Sequence, residues 1–191
     1  MQLYGMKVDQ HEIAQLSNAS PTAGTDSNEM MEVLRRSGSR LGITSKSLLS
    51  DDNLDTEKIL QLYNREARRS NLDAMKFDRR PWRILLSEMD TEVLRRAKMS
   101  QTREYKVFLD AIRTHVDLGV PLAWSMVLGK VPEQGRTPQT AGGHMRLIIG
   151  YNDQTEELVF SDSWGVGHEA KRITMQNAWT VTDGLYSIEL R

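Results

Sequence analysis

A chain of 191 residues holds one well-buried domain, since domains usually run to about 100–150 residues each. Hydrophobic residues make up 39% and charged residues 27%, and 25 Lys and Arg against 26 Asp and Glu give a net charge of −1, which argues against a main role in holding nucleic acid or an anionic membrane, because both need clustered positive charge. The chain contains no cysteine, which removes disulfides, thiolate metal sites and a thiol nucleophile from these residues and leaves the redox compartment open.

The first half reads as helices. Asp9 followed by Glu12 forms a capping-box pattern, and Ile13 and Leu16 give the segment 9–18 an apolar side. A loop over 20–25 leads to a second start at Asp26 with Glu29, where Met30, Val33 and Leu34 supply a buried face and Gly38 is the expected stop. Ile59, Leu62 and Tyr63 predict a helix over about 55–68, with Arg65, Arg68 and Arg69 suited to the negative end of its dipole. Between 76 and 89, Pro81 interrupts, and Trp82, Ile84, Leu85 and Leu86 fit more than one conformation. Helices resume at 90–98 and at 101–118, where Tyr105, Phe108, Leu109, Ile112 and Val116 recur at helical spacing before Gly119.

After Gly119 the period changes. Val120 to Leu128 is nearly continuous in apolar residues, as expected of a central strand buried on both faces. A Gly-, Pro- and Gln-rich loop over 129–143 is long enough to suggest function. His144–Tyr151 and Glu157–Ser161 then predict two strands joined by the polar turn 152–155, and Lys171–Met175 and Leu185–Leu190 complete a sheet of about five, with a helical turn at 176–180. The fold class is α+β, a helical half followed by an antiparallel sheet. No apolar run approaches the roughly 18–20 residues of a membrane span. The residues from Met1 on carry no secretory signal, so the compartment is left open and export is not excluded.

No P-loop, Gly-x-Ser-x-Gly elbow, paired-His helix or dinucleotide-binding glycine pattern occurs. His11 and His115 lie on amphipathic helices and read as ordinary surface or half-buried imidazoles. His144 differs. It follows Gly142 and Gly143, which allow close approach of backbone, and it opens an apolar strand beside the long loop. Downstream, Ser161-Asp162-Ser163-Trp164-Gly165 closes the next strand. In a hairpin, the separation of 18 residues brings Asp162 alongside His144, where a carboxylate fixes the imidazole's tautomer and leaves the other nitrogen to act as a base. The competing reading is a structural histidine beside a strand-end turn. Ser161 and Ser163 are explained by turn chemistry, and a metal set of His144, Asp162 and His168 lacks the spacing of a known site.

Gly-Gly-His-Met-Arg-Leu-Ile-Ile-Gly-Tyr-Asn, followed after a turn by Ser-Asp-Ser-Trp-Gly, resembles the C-terminal half of papain-like cysteine peptidases. Leu3-Tyr4-Gly5, Val8, Gln10, Glu12-Ile13-Ala14, Gly24-Thr25 and the helix from Met30 to Leu34 resemble the region after the catalytic helix in bacterial bacteriocin-processing peptidases of the double-glycine leader type. The resemblance covers roughly 1–42 and 120–190. It implies one papain-like domain, with 1–42 as the helical part after the catalytic helix, 43–118 as a helical insertion and 119–191 as the sheet carrying His and Asp. It further implies His144 as general base, Asp162 as its orienting partner, Trp164 as a cover over the pair, and Gly142 and Gly143 bordering the groove, with Ser163 and Gly165 in support. The substrate would be a peptide or protein, and no metal or cofactor takes part.

The family's nucleophile is a cysteine at the start of a long helix, where the dipole and the imidazolium lower the thiol pKa. Met1–Gly5 aligns with the tail of that helix, so the cysteine and its neighbouring glutamine are expected before residue 1. Two readings stay open: a shortened form of an active peptidase, inactive as it stands, or a nucleophile-free domain that binds a peptide or partner. On the first, apolar surface uncovered by the absent helix leads to the expectation that the chain self-associates.

Overall fold

The computed structural model describes residues 15–18, 27–49, 55–78, 80, 82–133, 142–162 and 166–190. Of the helix expected over 9–18, residues 9–14 lie outside the described residues, as do the loop 20–25, the start at Thr25-Asp26 and most of the loop 129–143. The described elements are α1 (Ser27–Leu41), β1 (Ile43–Leu49), α2 (Thr56–Arg69), α3 (Trp82–Glu88), α4 (Thr91–Met99), α5 (Thr102–Asp117), β2 (Leu122–Leu128), β3 (Gly142–Asn152), β4 (Glu157–Ser161), β5 (Lys171–Thr174), α6 (Met175–Val181) and β6 (Thr182–Leu190). The architecture is α+β.

Two differences from the sequence reading concern the first half. The helix runs through Gly38 and ends at Leu41, because Gly42, at φ +62°, supplies the left-handed residue that terminates it. Ile43–Leu49, expected within a helical stretch, is a strand, so the sheet has six strands in the order β1-β6-β2-β3-β4-β5.

The chain forms two compact units, one of Met1–Lys46 with Ile188–Arg191 and one of Ser47–Ser187. In the smaller, Glu32 on α1 binds Arg35 and Arg36 one turn on, and Lys46 pairs with Glu189 at 2.9 Å. The larger holds everything that follows.

Its helices start where side chains cap them. Asp55 accepts from the Lys58 N–H, and Asp90 accepts from Glu92 and Val93 N–H, each satisfying donors that the first turn leaves without partners. α2, α3 and α4 form one apolar cluster, in which Ile59, Tyr63, Leu85, Leu94 and Ala97 join Val127 of β2. Tyr63 adds a polar tie, its hydroxyl accepting from Asp90 N–H at 2.9 Å.

The second cluster lies on one face of the sheet, where α5 and α6 bring Phe108, Ile112 and Trp179 against Trp124, Ile148 and Phe160. The pairing Leu122↔Ile148, Trp124↔Arg146 and Met126↔His144 between β2 and β3, and Ile148↔Phe160 between β3 and β4, puts all these side chains on that face, since directly opposed residues point the same way. His144 and Arg146 are thus at one end of an apolar face. Elsewhere in this core, the fully buried Lys98 donates to the Thr182 carbonyl at 2.8 Å, with its ammonium 4.3 Å from the centre of the Trp179 ring. Burial pulls the Lys98 amine down to about 7, against the opposing pull of Asp183.

Candidate active site

β3 and β4 are antiparallel, with Leu147 opposite Ser161 and Ile148 opposite Phe160. Extending this register by one residue sets Asp162 opposite Arg146 and diagonal to His144, within reach of both. Polar residues at 152–155 make the connecting turn, in which Asn152 Oδ1 accepts from the N–H groups of Gln154 and Thr155. Asp162 is fixed through its main chain as well, its N–H donating to the His168 carbonyl at 2.9 Å.

His144 Nε2 lies 2.8 Å from Asp162 Oδ1. The other carboxylate oxygen accepts from Arg146 Nε, also at 2.8 Å. A carboxylate bound to a guanidinium is ionised and can only accept, so Nε2 is the donor in the pair with Asp162. The His144 side chain is 19% exposed, whereas Asp162 is enclosed. The imidazole therefore meets solvent on one side and a shielded anion on the other, where a hydrogen bond is stronger than in water.

The network continues inward. Arg146 Nη1 and Nη2 donate to the two oxygens of Glu133 at 2.8 and 2.9 Å, and Lys171 Nζ donates to Glu133 Oε2 at 2.9 Å. Burial works against ionisation of Glu133, but the hydrogen bonds from Arg146 and Lys171 outweigh it and hold the carboxyl below its ordinary range. The Phe160 ring forms the floor, 4.5 Å from the Arg146 guanidinium carbon and 5.6 Å from Lys171 Nζ. Among the described residues, two carboxylates and two cations meet here with almost no solvent access.

Gly143 leaves room for a neighbouring side chain: a Cβ there would stand 3.1 Å from Cδ of Arg83 on α3, whereas nothing lies within 4 Å at Gly142. Ser163, Trp164 and Gly165 lie outside the described residues. Among the described residues no group of three or more His, Asp or Glu is placed to hold a metal ion, and no helix is long and apolar enough to cross a membrane. His168 meets the site through its carbonyl. Sequence reasoning did not single out Arg146, Glu133 or Lys171. Arg146 carried a readable signal, a charge two residues from His144 in an otherwise apolar strand and so on the same face.

Over residues 87–186, more than half of the chain, the sequence matches the model of the Peptidase_C39 like family. The match takes in α4, α5 and α6 together with β2 to β5 and the first residues of β6. None of the curated proteins matches the chain significantly.

Proposed function

The chain belongs to the Peptidase_C39 like family, a cysteine-peptidase-like domain of papain-like fold, and from that premise we propose that it supplies the His/Asp half of a thiol peptidase site acting on peptide or other amide bonds. The 2.8 Å bond between His144 Nε2 and Asp162 Oδ1 carries this reading. Asp162 holds the imidazole in the tautomer that presents Nδ1 as base. Nδ1 takes the proton of a cysteine thiol, and the imidazolium so formed is stabilised by the carboxylate behind it. The thiolate attacks the carbonyl carbon, the proton passes from Nδ1 to the leaving amine, and water hydrolyses the thioester.

None of the 191 residues is a cysteine. These residues alone are therefore expected to show no thiol-dependent turnover, and the reading places the nucleophile outside them. The test uses the complete protein encoded by the reading frame that contains them: its alkylation by iodoacetamide is followed against pH in the wild type and in His144→Ala. A thiol that reacts below pH 7 and loses that reactivity by roughly tenfold or more in His144→Ala supports the proposal. A frame without cysteine, or a thiol indifferent to His144, overturns it in favour of a peptide-binding domain.

A further inference from the structure

We propose that Arg146 is a positioning residue for the His144–Asp162 pair, locked in place for that role by buried Glu133 and Lys171. This rests on the peptidase reading for its purpose, though not for its geometry.

A carboxylate held by one hydrogen bond can tilt and rotate about its last torsion, which has broad wells. Asp162 is held on both oxygens, by His144 Nε2 and Arg146 Nε. The guanidinium is fixed in turn because its other two nitrogens face the two oxygens of Glu133 in a parallel fork, the arrangement that makes Arg more specific than Lys. Lys171 Nζ donates to Glu133 Oε2 as well.

Arg146 has an electrostatic effect as well. It takes one of the two oxygens of Asp162 and places a guanidinium on the carboxylate that His144 faces. Glu133 opposes this from the far side. Among the described residues, Asp162 and Arg146 are the charged groups beside His144, with Glu133 and Lys171 behind them; Arg83 of α3 lies against Gly143.

The test is nitrogen-15 NMR of the histidine rings in the full chain, which needs no cysteine. In the wild type, His144 is expected as the Nε2–H tautomer, and the Arg146 Nε–H signal is expected to move with the midpoint at which His144 titrates. Arg146→Gln should raise that midpoint by about half a pH unit or more, and Glu133→Gln should lower it. Arg146→Lys should return at least part of the way to the wild-type midpoint. A folded Arg146→Gln variant whose midpoint and ring signature equal the wild type's overturns the proposal. Should that variant not fold, an Arg146 signal in the wild type that ignores the titration of His144 overturns it equally. Loss of the peptidase reading by the alkylation test, with this coupling present, would leave the positioning role intact and remove only its purpose.

Discussion

Asp162, Arg146 and Glu133 have no solvent to fall back on, so each depends on its charged neighbours. Removing one member of a buried ion pair leaves the others uncompensated, which typically costs 3–5 kcal/mol. Arg146→Met keeps much of the side-chain volume but leaves two buried carboxylates without their shared cation, and a loss of about 3–5 kcal/mol is expected in urea unfolding. An exposed pair such as Lys58–Glu104 should lose under about 1 kcal/mol by the same measurement. The approach of His144 and Asp162 is readable in the sequence because a hairpin with a recognisable turn makes it local. Glu133 bonds to Arg146 and Lys171 across 13 and 38 residues. The second pairing arises only once β4 and β5 are in place beside β3, and the first joins a loop residue to a strand, so no periodic pattern announces either.

At the level of the helices and strands, side-chain caps set where the helices begin. Asp90 accepts two backbone N–H bonds at the start of α4, and Asp90→Ala is expected to lower stability by about 1 kcal/mol in thermal or urea unfolding. α5 follows its apolar period closely, because Phe108 and Ile112 face the core one turn apart. α1 and β1 carry weaker sequence signals. Gly38 and Gly42 are both plausible stops, and the distinction lies in a backbone angle: Gly42 has the positive φ. Gly42→Ala is expected to cost about 1–2 kcal/mol, seen as a lower unfolding midpoint, since an L side chain is disfavoured there. β1 is buried at Ile43 and Leu49 with Lys46 and Ser47 exposed between them, so it lacks the strict alternation that marks a half-buried strand.

For the molecule as a whole, Lys98 sets the dependence of stability on pH above neutrality. Its amine titrates near 7 when folded, against a usual value of 10.5. Between those limits the unfolded chain binds more protons than the folded one, so stability rises with pH, by up to about 1.4 kcal/mol per unit from this group. Urea midpoints measured between pH 7 and 9.5 should climb in the wild type and flatten in Lys98→Met. On the acid side the sign is the same with a different cause. The Glu133 carboxyl lies below its ordinary 4.5 when folded, so its contribution is complete above that value and fades as pH falls through the folded pKa. Glu133→Gln should remove that part of the acid-side slope.

The tie between Tyr63 and Asp90, with the cluster that α2 shares with α4 and β2, bears on where this protein can be cut. The family match begins at residue 87, yet Ile59, Tyr63 and Ala67 are buried against residues beyond that point. A boundary of sequence similarity is here not a boundary of autonomous folding. Limited digestion should spare the junction near 87 while the protein is native, and a fragment beginning at 87 should expose the apolar underside of α4 and be degraded far faster than the intact chain.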